Sequence, residues 1–284
     1  MQAASRESYA AVRERLDSLS ATAGRGKSKA VGTAVIVRIA DDLLAVAGLL
    51  AAEPRLRRAL ADPSRSGEDR ARLLGTVLGD RLSQPALELA GGLASGRWSS
   101  SVDLVDAAEQ LGVEALLVSA DQAGTLGEVE DELFRFSQVV SGGPALAATL
   151  GDASAAPERR RELVRGLLDG KADPVTVRLA ELSVTGFGGR NFAASLSRLV
   201  ELAAERRELR VAYVRVAAPL SDAEEERLAA TLGRIYGQQV SLKVSVEPEL
   251  LGGASVQIGH DLYDGTVLRR LNQARGGLLG RTAR

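Results

Sequence analysis

A shift of 90 residues lays one stretch of this chain on another without a gap, and that internal register limits the fold more than any other feature. It pairs Asp41 with Asp131, Leu43 with Leu133, Pro54 with Pro144, Leu56 with Leu146 and Leu60 with Leu150. It continues through Asp62 and Asp152, Ser64 and Ser154, Glu68 and Glu158, Arg70 and Arg160, Leu73 and Leu163, Leu78 and Leu168, and Leu89 and Leu179. Matched prolines and matched apolar positions in one frame are what a duplicated structural unit leaves behind. The fold must therefore contain two similar units in tandem.

The duplicated units read as helical. Tyr9, Val12, Leu16 and Leu19 recur at three- and four-residue spacing, which gathers them on one helical face. Further periodic segments are expected at 28–51, 54–61, 67–79, 84–95 and 99–120, then at 126–141, 144–150, 157–169, 174–186 and 190–208. Pro54, Pro63, Gly67, Pro85 and Gly96 punctuate the first series, because proline and glycine start or stop helices for steric reasons. Short connections between helices imply antiparallel neighbours in a bundle.

After residue 208 the period changes. Arg210 to Ala217 is β-branched and partly alternating, and Val240, Leu242, Val244 and Val246 alternate cleanly, so both read as strands. Ser221 and Glu224 have capping-box spacing at the start of a helix that runs to Tyr236 and stops at Gly237. Ala254 to Ile258 reads as a third strand, Gly259 to Asp261 as a turn before Leu262 and Tyr263, and Asp264-Gly265-Thr266 as the opening of a last helix. This is a small α/β module, too short for an enzyme domain of its own.

Composition narrows the function classes. Among 284 residues there is no cysteine and one histidine, which excludes disulfides, thiolate chemistry and histidine metal clusters. Thirty-six basic against 37 acidic side chains leave a net charge of −1, unlike a dedicated nucleic-acid binder. Val31 to Ala40, the longest apolar stretch, is interrupted by Arg38 and is far below the ~20 residues that span a bilayer. The charged amino-terminal stretch has no signal-peptide core, so the chain reads as cytoplasmic, with any membrane association made through a partner. No cofactor is implied.

The short motifs have bland readings. Gly26-Lys27-Ser28 ends like a phosphate-binding loop, but Ala21 stands where the first glycine is needed and a helix precedes it, so it reads as a linker. Gly186-Phe-Gly-Gly189 lies between helices and reads as a turn. The acidic run Glu128, Glu130, Asp131 and Glu132 suits a helix start, and Glu158 to Glu162 reads as a solvated face of mixed charge. Trp98 reads as a helix-junction anchor, or as a partner contact if exposed. No catalytic constellation is present.

One segment is specific. Val240, Leu242, Val246-Glu247, Leu250, Gly252-Gly253-Ala254, Val256-Gln257 and Gly259 resemble, at their spacing, the signature of the δ subunit (OSCP) family of F-type ATP synthase. Asp264-Gly265-Thr266 with Arg270-Leu271, and Ala217 to Ser221 upstream, resemble two further elements of that signature, with Thr266 where serine is commoner. The signature positions are Glu247, Leu250, Gly252, Gly253, Gly259, Asp264 and Gly265.

The resemblance implies a mainly α chain: tandem helical bundles, a duplicated six-helix-type domain, followed by a small α/β carboxy-terminal domain. The expected divisions are 1–104 for the extra bundle, 105–208 for the standard one and 209–284 for the α/β domain, with the helix at 99–120 shared between bundles. It also implies a non-catalytic stator subunit at the cytoplasmic face of the cell membrane. The α subunit's N-terminal helix would bind in a bundle groove, and the peripheral-stalk b subunit would bind the carboxy-terminal part. By analogy the groove lies between the first and fifth helices, at Leu104, Ala108, Leu111, Val175, Leu179 and Leu182 in the second copy. In the first copy it would involve Tyr9, Val12, Leu16, Leu87 and Leu89. The extra copy reads either as a second groove or as a spacer. Two readings compete with it: a generic helical scaffold or regulatory adaptor with an α/β tail, and a nucleotide-dependent enzyme resting on Lys27 and Ser28.

Overall fold

The computed structural model describes residues 2–23, 29–208, 211–236, 240–247, 250, 252–258 and 261–265, and the chain divides into two compact units, Met1–Ala203 and Ala204–Arg284. The phosphate-loop look-alike at 26–28, the helix stop at Gly237, Gly259 with His260, and the final helix after Gly265 lie outside the described residues.

The first copy comprises α1 (Ala3–Ala23), α2 (Lys29–Ala52), α3 (Pro54–Leu60), α4 (Gly67–Leu78) and α5 (Gln84–Ser95). Then α6 (Ser101–Ala123) runs into α7 (Leu126–Gly142), α8 (Pro144–Gly151), α9 (Pro157–Leu168), α10 (Pro174–Thr185) and α11 (Phe192–Glu208). The helix boundaries have local causes. Prolines occupy the first turns of α3, α5, α8, α9 and α10, where a missing N–H costs nothing. Ser66 and Ser100 cap α4 and α6 by accepting from the N–H groups of Asp69 and Asp103. Gly124, at φ 87°, ends α6 in the left-handed conformation that glycine adopts freely.

The duplication reappears as duplicated hydrogen bonds. Ser64 N–H donates to Asp62 at 2.9 Å, and Ser154 N–H to Asp152 at 2.9 Å, in matching turns before α4 and α9. The Asp42 carboxylate accepts Ser83 N–H at 2.8 Å, and Glu132, 90 residues on, accepts Asp173 N–H at 2.9 Å. Each bond ties the start of the fifth helix of a copy to the middle of its second.

The guanidinium of Arg70 donates to the carbonyls of Leu60 (3.2 Å), Gly96 (2.8 Å) and Ser95 (3.1 Å). Arg160 donates to those of Leu150 (3.2 Å) and Val184 (3.1 Å). Both arginines are buried. This corrects the reading of Glu158 to Glu162 as a wholly solvated face: Arg160 turns inward because helix carbonyl ends converge there and need donors.

One apolar core runs through both copies, from Tyr9 to Ala203. At its centre every residue of α6 from Leu111 to Ala120 is buried. Gly112 permits this, because a Cβ there would come within 2.7 Å of the Leu44 side chain of α2. Burial of Glu114 is offset by partners on α1: the Tyr9 hydroxyl donates at 2.7 Å and the Arg13 guanidinium lies at 2.7 Å.

The second unit carries β1 (Val211–Val216), α12 (Asp222–Tyr236), β2 (Ser241–Val246), β3 (Ala254–Ile258) and β4 (Asp261–Asp264). Sheet order is β2-β1-β3-β4, with β1 and β2 parallel and the other pairs antiparallel. The parallel pair requires a crossover, which α12 supplies. Ala212, Val214 and Val216 face Leu232 of α12 in a small separate core. The start of α12 differs from a full capping box. Glu224 accepts both the N–H and the hydroxyl of Ser221, at 2.8 and 2.7 Å, so the hydroxyl serves the carboxylate and not a backbone donor.

Candidate functional site

The six expected groove residues lie where α6 meets α10. Leu104, Ala108, Leu111 and Leu179 are at most 1% exposed, Val175 is buried, and Leu182 is half-buried. They form the floor between the two helices, and of the six only Leu182 keeps appreciable surface. The first-copy set behaves alike: Tyr9, Val12, Leu16 and Leu89 are buried and Leu87 is half-buried. The physical reason is the apolar period itself, which marks the face that packs in the bundle. Apolar residues displaced from that face in phase keep more of their surface.

Off-phase apolar side chains do occur. Phe134 and Val139 on α7 are 51% and 61% exposed. A cleft of ≈ 270 Å³ opens between α7 and α11, lined by Phe134, Val140, Leu196 and Val200 with Ser137 and Ser141. The sequence signal was available: Phe134, Gln138 and Ser141 share one helical stripe, beside the buried stripe of Leu133, Phe136 and Val140.

The signature residues are organised around backbone turns of the carboxy-terminal unit. Glu247 N–H donates to Val216 carbonyl at 2.8 Å, prolonging the β1–β2 pairing, and Leu250 N–H returns to Glu247 carbonyl at 3.0 Å. Gly252 and Gly253, at φ 110° and 85°, then swing the chain into β3, a conformation that side-chain-bearing residues adopt only under strain. Asp264 pairs with Ser255 in the sheet register, and Gly265 N–H donates to Ala254 carbonyl at 2.9 Å. A Cβ on Gly265 would sit 3.1 Å from that carbonyl oxygen. The described signature residues thus lie at the turns and strand ends that join β2, β3 and β4.

Burial raises the carboxyl pKa values of Asp106 and Glu109, the latter despite accepting Gly188 N–H at 2.7 Å. Gly188 belongs to a short 3-10 turn, Phe187–Gly189, so the glycine-rich segment is a turn with buried Phe187 as its anchor. Trp98 is likewise an anchor: it is buried and its indole N–H donates to Leu93 carbonyl at 2.8 Å. The acidic run on α7 holds an unexpected tether, since Glu132 also accepts the Thr176 hydroxyl at 2.7 Å. Among the described residues no three of His, Cys, Asp or Glu converge to hold a metal ion, and no helix is long and apolar enough to cross a membrane.

Comparison with known proteins places this architecture. The family model described as "ATP synthase delta (OSCP) subunit" matches residues 113–278, beginning inside α6 and ending beyond β4. Proteins named "ATP synthase subunit delta" from Salinispora arenicola and Salinispora tropica are 56% and 57% identical over 282 residues, covering 99% of this chain and 100% of each relative. One of the same name from Streptomyces avermitilis is 46% identical over 272 residues, 96% of either chain. These relatives align through the first copy as well, so the long form is common to them. The chain belongs to the ATP synthase delta (OSCP) subunit family.

Proposed function

We propose that the chain is the non-catalytic stator subunit of an F-type ATP synthase, joining the α/β catalytic head to the peripheral-stalk b subunit so that proton flow is coupled to ATP synthesis. Family membership across nearly the whole length of the chain is the observation that carries this reading. On this reading 1–104 is the extra bundle, 105–208 the standard bundle and 209–284 the domain that takes the b subunit. The protein is held peripherally at the cytoplasmic face of the cell membrane through the complex.

The α subunit's N-terminal helix is assigned to the α6–α10 groove. Leu182 offers the accessible contact there, and Leu104, Ala108, Leu111, Val175 and Leu179 form the floor behind it. Helix-in-groove docking of this kind uses anchors at i, i+3, i+4 and i+7 of the incoming helix. A joint under sustained torque needs slow dissociation, and nanomolar binding corresponds to about 12 kcal/mol.

Titration calorimetry of the full chain against a peptide of the cognate α subunit's N-terminal helix tests the assignment. Saturable binding that Leu182→Asp weakens about tenfold or more, with the fold retained by circular dichroism, is the expected result. Binding indifferent to Leu182→Asp places the helix elsewhere. Absence of binding to the α peptide and to the b subunit's carboxy-terminal segment, by folded protein, refutes the stator reading.

A further inference from the structure

We propose that α6 welds the two helical copies into one rigid body, so that the first copy is a fixed extension of the second and the two unfold together. The joint between the copies falls inside α6, a helix shared by both, where a hinge would break backbone hydrogen bonds. That helix is buried on all sides from Leu111 to Ala120. From the first copy, α2 seats Leu44 against Gly112, α1 delivers Tyr9 and Arg13 to Glu114, and the Gln122 amide donates to Ser20 carbonyl at 2.9 Å. From the second copy, Gly188 N–H donates to Glu109, and α7 and α10 contact the same helix. A further link bypasses α6 altogether: Arg178 of α10 lies 3.0 Å from Asp41 of α2. Bending one copy relative to the other would therefore expose the shared core, which packs at near-crystalline density and resists graded deformation. The extra copy thereby transmits force as a strut with no internal joint. This inference rests on the helical unit alone and stands whichever partners the chain has.

Hydrogen exchange of the full chain, read at separate helices under conditions where opening is in rapid equilibrium, decides it. Leu16→Ala opens a cavity beneath α1, in the first copy. The most protected amides of α5 and of α10 are expected to accelerate by the same factor, on the order of a hundredfold for a buried Leu→Ala change. The reciprocal variant Leu133→Ala on α7 is expected to accelerate both helices equally as well. Where Leu16→Ala leaves no folded protein, Ile39→Val serves in its place, with a common acceleration of about two- to tenfold. Acceleration confined to the copy that carries the substitution, in any of these variants, overturns the proposal.

Discussion

Replacing Arg70 by methionine separates the worth of a hydrogen-bonded buried cation from that of its bulk. The methionine side chain fills much of the same channel but donates nothing to the carbonyls of Leu60, Gly96 and Ser95, which stay where the ends of α3 and α5 put them. Burial alone disfavours the charge and lowers the arginine pKa, so desolvation relief works in favour of the variant. Against it stand three lost bonds at about 1 kcal/mol net each, for a total near 3 kcal/mol. Arg160→Met removes two bonds, so about 2 kcal/mol is expected. With a urea slope of about 3 kcal/mol per M for a unit of this size, the midpoints fall by roughly 1 M and 0.7 M. Equilibrium urea unfolding, followed by circular dichroism at 222 nm, reads both. A neutral or stabilising Arg70→Met would mean that apolar replacement of a buried ion outweighs the bonds, as happens in some proteins. That outcome, or a larger loss for Arg160→Met than for Arg70→Met, refutes the bond-by-bond reasoning.

Two other perturbations follow. Burial raises the Asp106 pKa, so its contribution favours the folded state below the unfolded-state pKa and is lost as pH rises through the folded-state value. Asp106→Asn should therefore raise the melting temperature at pH 7 and lose that advantage toward pH 4, in scanning calorimetry at both pH values. Gly252→Val forces a β-branched residue to φ 110° and should cost the carboxy-terminal unit about 1–3 kcal/mol. In hydrogen exchange the β1–β3 amides should lose protection while those of α6 keep theirs.

Local signals were legible in the sequence wherever the cause was itself local. Pro144, Pro157 and Pro174 mark helix starts that the structure places at those residues. The alternation of Leu242, Val244 and Val246 marks β2, and the paired glycines mark the turn before β3. The 90-residue register announced the duplication, and the same offset recurs in the bonds of Asp42 and Glu132 and in the burial of Arg70 and Arg160.

What the sequence did not reveal depends on neighbours far along the chain. Arg160 and Arg161 are adjacent in one charged run, yet one is buried under two helix ends and the other pairs with Glu158 near the surface, because only the fold decides which faces a cluster of carbonyls. The family resemblance put Leu104, Leu111 and Leu179 in a groove between two helices, and the packing around α6 leaves all three side chains buried. The parallel pairing of β1 with β2 is equally invisible to either strand alone. Sequence determined by itself the helices and strands of the described residues and the repeat, since dihedral preference and periodicity act within a few residues. Tertiary structure alone decided which faces were sealed and which charges were drawn inside, since burial belongs to pairs of surfaces that meet only in the folded chain.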